Sequence, residues 1–175
     1  MHQRSGVCWV DAPGLNVLHV VNAWEEDGGD TVVMVASNIM RVEHMLGRMD
    51  LVRMSLEMIR IDVKGKRVVA RCPVSRESLD FAVINPQYAG KKSRYVYAAV
   101  VVPTLKGAGV VKLDLSFSSK KMDHLVARRV YGPDCYGGEP FFVPREPNNL
   151  EADEDDGYLV MQGALWFSWD FCEGK

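Results

Sequence analysis

Two segments of this 175-residue chain hold side chains able to do metal chemistry. His19 lies in GLNVLHVVNAWEE (residues 14–26), flanked by Val17, Leu18, Val20 and Val21. A neutral imidazole in a dry, apolar setting is a good ligand for iron. The plainer alternative is a core histidine satisfied by a backbone partner. Glu139 lies in YGGEPFFVP (residues 136–144), between a Gly-Gly turn and a short apolar run. A carboxylate there can orient a ligating histidine, because metal-bound imidazoles usually give their other N–H to such a group. The plainer alternative is a turn glutamate facing water. The remaining histidines read as solvated side chains: His2 at the terminus, His44 in a segment of helical character, and His124 behind the polar run Lys120-Lys121-Met122-Asp123.

Other chemistries lack their residues. Gly107-Ala108-Gly109 opens a strand rather than a helix, so it fails the context of a dinucleotide-binding glycine loop. There is no Gly-x-Ser-x-Gly elbow and no Cys/His arrangement suited to nucleophilic catalysis. Cys8, Cys72, Cys135 and Cys172 form no CxxC pair, which argues against a structural zinc site and leaves them as free thiols. The acidic run EADEDD (residues 151–156) lacks the spacing and central glycine of a calcium loop. It reads as a solvated loop after the turn-rich PREPNN (residues 144–149).

The elements that must position these residues are short strands. TVVMVA (residues 31–36) is a compact β-branched run that fits a buried strand. Ile59, Ile61 and Val63 alternate with Arg60 and Asp62, the period-two mark of a strand with one wet face. Lys64-Gly65-Lys66 makes a tight turn, and RVVARC (residues 67–72) returns as the hairpin partner. RYVYAAVVV (residues 94–102) follows, stopped by Pro103. Residues 109–115, where Lys112 and Asp114 alternate with Val111, Leu113 and Leu115, form the next strand, followed by 125–131, 141–143 and 158–161. A short helical segment fits near residues 42–50, weakened by Gly47. Strands at this spacing, joined by Gly, Pro, Asn and Asp turns, describe an antiparallel all-β protein: sandwich, barrel or propeller.

Charge and hydropathy narrow the function classes. Lys plus Arg number 21 and Asp plus Glu 23, a net charge of -2 that gives no basic surplus for nucleic acid or for an anionic membrane. No apolar run approaches the ~20 residues of a membrane-spanning helix, and MHQRSGVCWV at the start has neither a signal-peptide nor a transit-peptide pattern. The Trp- and Phe-rich tail MQGALWFSWDFCEGK (residues 161–175) departs from the preceding alternation, so residues 1–160 read as one domain and 161–175 as an atypical extension outside the parent fold.

LHVVNAWEE followed by GGEPFFVP, with VASNIMRVEHMLGRMDLVRMSLEMIRIDV, LDFAVINPQYAGKKSRYVYAAV, GVVKLDL and VARRVYGPDCYGGEPFFVPREP between and around them, resembles the carotenoid cleavage dioxygenases, and most of all the plastid subgroup 4. The resemblance runs from about Asp11 to Val160. It implies a seven-bladed antiparallel β-propeller, incomplete here, with ferrous iron on its axis held by four histidines and with three of these held in turn by glutamates. His19 matches one of the four ligands, and three further histidines are expected outside this chain. Glu139 matches a glutamate that bonds that same histidine. The chemistry implied is cleavage of a carotenoid or apocarotenoid double bond by dioxygen, at 9,10 or 9',10', to carbonyl products. A plastid location follows by resemblance, with peripheral attachment to plastid membranes or lipid droplets. One histidine cannot hold iron(II) against water, so the isolated chain is expected to bind little iron and to be inactive. The contrasting readings are a non-catalytic β-propeller interaction module and an inactive truncated homologue. The discriminator is whether His19 and Glu139 come within hydrogen-bond distance, since an interaction module has no reason to bring together residues 120 apart.

Overall fold

The computed structural model describes residues 7–101, 108–116, 124–131, 137–149 and 151–161, together with the backbone of 167–168. Three antiparallel sheets follow one another along the chain. The first is built from β1 (Val17–Glu26), β2 (Thr31–Met40), β3 (Arg53–Asp62) and β4 (Arg67–Pro73). The second holds β5 (Leu79–Val83), β6 (Tyr95–Val100), β7 (Gly109–Asp114) and β8 (Leu125–Val130). In the third, β9 (Pro140–Pro144) pairs with β10 (Gly157–Met161), which pairs with β11 (Phe167–Ser168). Each sheet is a meander whose spatial order is its sequence order, the build of a propeller blade.

Local chemistry closes the hairpins. The β1–β2 turn needs three left-handed residues in succession, and Asp27-Gly28-Gly29 supplies them at φ 54°, 69° and 93°. The turn expected at Lys64-Gly65-Lys66 is present, with the Gly65 amide donating to Asp62 Oδ1 at 2.8 Å and Lys66 left-handed. The short helical segment near 42–50 is realised as two single 3-10 turns, Val42–His44 and Met49–Leu51, rather than an α-helix. Among the described residues no helix is long and apolar enough to cross a membrane.

The sheets stack through two cores. Trp24, Val33, Val35 and Leu56 of the first sheet meet Leu79, Val96, Ala98, Val111 and Leu113 of the second. On the opposite face of the second sheet, Tyr97 and Val110 meet Phe142, Leu159 and Met161 of the third. The second sheet is therefore covered on both sides, and every residue of β7 is buried. The alternation of Lys112 and Asp114 with Val111, Leu113 and Leu115 thus marks two covered faces and not a wet one. Lys112 lies under the third sheet, ion-paired with Asp155, its ammonium 4.1 Å from the centre of the Tyr95 ring. The acidic run 151–156 is accordingly a clamp and not simply a solvated loop. Glu154 accepts from the amides of Arg94 and Tyr95 at 2.8 and 2.9 Å, Asp155 holds Lys112, and Asp156 pairs with Arg145 at 2.7 Å. Burial pushes the Glu154 carboxyl above its ordinary range, against those two amides.

Asn22 fastens the first sheet to the connection leading into β6. Its Nδ2 donates to the carbonyls of Tyr88 and Lys91 and to Ser93 Oγ, and its Oδ1 accepts from the amides of Ala23 and Gly90. Asn22→Ala is expected to lower stability by roughly 2–4 kcal/mol, several buried hydrogen bonds at about 1 kcal/mol each. A thermal or urea melt measures this.

His124 is also buried, donating from Nδ1 to the Asp114 carbonyl at 2.9 Å, which corrects the solvated side chain expected of it. The Asp114 carboxylate accepts from Arg94 Nε at 2.9 Å and from the Ser116 amide at 2.8 Å. Burial alone would raise its pKa, but these donors outweigh burial and hold it below the usual carboxylate range. A depressed carboxyl stabilises the fold above its unfolded value, about pH 4, and that contribution is lost as pH falls through the lower folded value. The melting temperature should therefore fall as pH is lowered from 6 to 2, and Asp114→Asn should weaken that dependence while lowering stability at neutral pH.

Candidate metal-ligand site

His19 is held where β1 enters the first sheet. The Asn16 amide donates to Asn38 Oδ1 at 2.7 Å, and Asn38 in turn donates to the buried Glu57 at 2.8 Å, which is paired with Arg71. This chain of bonds fixes the start of β1 against β2 and β3. Register shifts fall on either side of the His19–Val20 pair, between Val17 and His19 and between Val20 and Asn22, with His19 opposite Ser37. Val17, Leu18 and Val20 are exposed and the His19 side chain is 45% exposed, so this stretch is an open rim rather than a closed core.

The imidazole has a distant partner. His19 Nδ1 lies 3.0 Å from Asp80 Oδ1, across from the first strand of one sheet to the first strand of the next. Asp80 is 3% exposed. Its carboxylate accepts, so the ring donates from Nδ1; in the neutral ring this leaves Nε2 as the nitrogen with a lone pair. The ring also meets Phe81, with centroids 5.5 Å apart and planes inclined at 35°.

This corrects the pairing expected between His19 and Glu139. The strand that packs against β1 is β5, while β9, which Glu139 precedes, packs against β5 and β6. Glu139 is exposed, and among the described residues no hydrogen bond or ion pair engages it. Its approach is fixed by Gly137: a Cβ there would lie 2.4 Å from Tyr131 Oη and 2.6 Å from Met161 Cε. Of the other histidines, His44 lies 3.7 Å from Glu43, and His2 is outside the described residues, as are Cys135 and Cys172. Cys8 and Cys72 are free thiols. Of the tail 161–175, the described parts are Met161, in β10, and the backbone of Phe167–Ser168, paired with it; the rest lies outside the described residues.

Sequence reasoning missed Asp80 along with the strand that carries it. Its signal was a lone acid inside the apolar run LDFAV: a carboxylate buried in a strand needs a donor.

The residues fit one position of an iron site. A neutral imidazole tied at Nδ1 to a carboxylate is the usual state of a metal-bound histidine. Among the described residues, no group of three or more His, Cys, Asp or Glu side chains is placed to hold a metal.

Residues 1–163 match the family model described as RPE65, retinal pigment epithelial membrane protein. The chain is 56% identical over 158 residues to the probable carotenoid cleavage dioxygenase 4, chloroplastic, of Arabidopsis thaliana, an alignment covering 90% of this chain and 26% of that protein. It is 49% identical over 152 residues to the zeaxanthin 7,8(7',8')-cleavage dioxygenase, chromoplastic, of Crocus sativus, covering 87% of this chain and 41% of that one. Among solved structures it is similar to cobalt-substituted Synechocystis ACO, with TM-score 0.66 and 25% identity over 87% of this chain and 32% of that chain. The chain belongs to the RPE65 and carotenoid cleavage dioxygenase family. It spans less than half the length of these relatives.

If Asp80 rather than Glu139 sets the tautomer, Asp80→Asn should shift the ring 15N resonances of His19 away from the Nδ1–H form. Glu139→Gln should leave them in place. Nitrogen-detected NMR of the histidine-labelled chain makes the comparison.

Proposed function

We propose that this chain is a segment of a non-haem iron(II) dioxygenase that cleaves a carotenoid or apocarotenoid double bond, with His19 as one of four histidine ligands. The observation that carries this reading is the His19–Asp80 bond. It fixes the tautomer that presents Nε2, uses a carboxylate 61 residues away, and sits on an open rim where a metal can reach the ring. The family supports the rest, its relatives being named carotenoid cleavage dioxygenases. Iron, when bound, would supply activation of dioxygen. This chain's own contribution is a nitrogen donor, held against rotation by Asp80. Glu139, exposed and fixed by Gly137, serves as the orienting carboxylate of a different histidine, in the remainder of the protein. The parent is a seven-bladed propeller in the plastid, with peripheral attachment to membranes or lipid droplets, where its substrate dissolves. The bond cut is 9,10 or 9',10'.

The isolated chain has one ligand where iron(II) needs at least three. It should bind far less than one iron per molecule and leave carotenoid absorbance unchanged. Metal analysis and the visible spectrum check both, and stoichiometric iron with polyene bleaching would refute the partial site. In the corresponding full-length protein, His19→Ala should abolish cleavage. Asp80→Asn should weaken iron binding or turnover by roughly ten- to hundredfold. Carbonyl products identified by mass spectrometry assign the bond, and products of 7,8 cleavage would overturn the 9,10 assignment.

A further inference from the structure

Phe81 is the one described residue of a strand that combines a bulky side chain with left-handed backbone, at φ 50°. The other non-glycine residues of positive φ, Asp27, Arg41 and Lys66, belong to turns, where that conformation is expected. For a bulky residue it is an outlier, and outliers of this kind gather at functional sites.

The bulge explains its use. Asp80 pairs with Ala99 and Val83 with Tyr97, so Phe81 and Ala82 together stand opposite the single residue Ala98. Consecutive residues of a regular strand point to opposite faces, and such a strand would offer His19 either residue 80 or residue 81. A bulge with a left-handed first residue re-aims the chain, and that first residue is ordinarily glycine. Here Asp80 takes the Nδ1 proton and the very next side chain lays its ring against the same imidazole. Glycine would relieve the backbone but would leave no ring.

We propose that Phe81 is a positioning residue for His19: its left-handed bulge lets Asp80 and Phe81 grip one imidazole together, the carboxylate fixing the tautomer and the ring fixing the plane. The metal role of this grip rests on the reading of His19 as an iron ligand. The grip itself does not, and it is testable without metal.

The test is NMR of the 175-residue chain labelled at histidine, without metal, reading the His19 ring 15N shifts, the ring-proton shifts and ring relaxation. Phe81→Tyr keeps the ring and should leave all three as in the wild type. Phe81→Leu keeps the bulk without the ring. It should release the imidazole, lowering the ratio of gripped to free ring by roughly two- to tenfold, the loss of one aromatic pair. Phe81→Gly removes the ring and relieves the backbone, and should release His19 while the backbone amides of β5 stay dispersed. It supplies the same comparison if the leucine variant does not fold. Wild-type order and ring shifts at His19 in either ringless variant, with β1 and β5 intact, would overturn the proposal. So would failure of the tyrosine variant to restore them. The iron reading fails separately, by absence of metal in the full-length protein, and that outcome leaves these spectra unchanged.

Discussion

A single hydrogen bond between two sheets, from His19 Nδ1 to Asp80 Oδ1, organises the site. Each partner needs the other. A carboxylate that is 3% exposed is costly to bury without a donor. An imidazole on an open rim has no fixed tautomer unless something accepts from one of its nitrogens. The bond holds only if the first strands of the two sheets keep their spacing, and packing enforces that. Leu79, the residue before Asp80, is fully buried among Trp24, Val33, Val35 and Leu56. Sliding β5 would pull Leu79 from the core and Asp80 from His19 together.

The supports on either side are polar and buried. At one end of β1, Asn38, Glu57 and Arg71 fix the entry to the strand. Towards the other, Asn22 ties β1 to the loop before β6 with four hydrogen bonds. The NAWEE segment after His19 is thus mostly structural: Asn22 anchors the loop, Trp24 fills the core, and Glu26 accepts from Trp24 Nε1 at 3.1 Å and pairs with Arg60. On the far side of the second sheet, the acidic clamp of Glu154 and Asp155 draws the third sheet against β6 and β7.

Strands that alternate or run apolar between turn residues were legible from residue types, and most of them fall where the pattern predicts. The misjudged polar residues share one cause. The pattern shows which residues suit a strand but not how many of its faces are covered. Lys112 and Asp114 look like a wet face, yet both are buried because sheets pack on either side. His124 and the run 151–156 were misjudged for the same reason, as polar groups whose partners come from another sheet. In the site, His19 was legible as a residue out of character in an apolar run. Its partner was not. β5 is five residues long and bulged, so it shows no clean period, and the resemblance directed attention to Glu139 instead.

The sequence order of the strands has a consequence for assembly. Every sheet closes on its own neighbours, and the bond that orients His19 spans 61 residues, so no distant segment is needed to form it. Domains emerging from the ribosome fold from the N-terminal side. The imidazole can therefore be oriented as soon as the first two sheets have formed, before the third is in place.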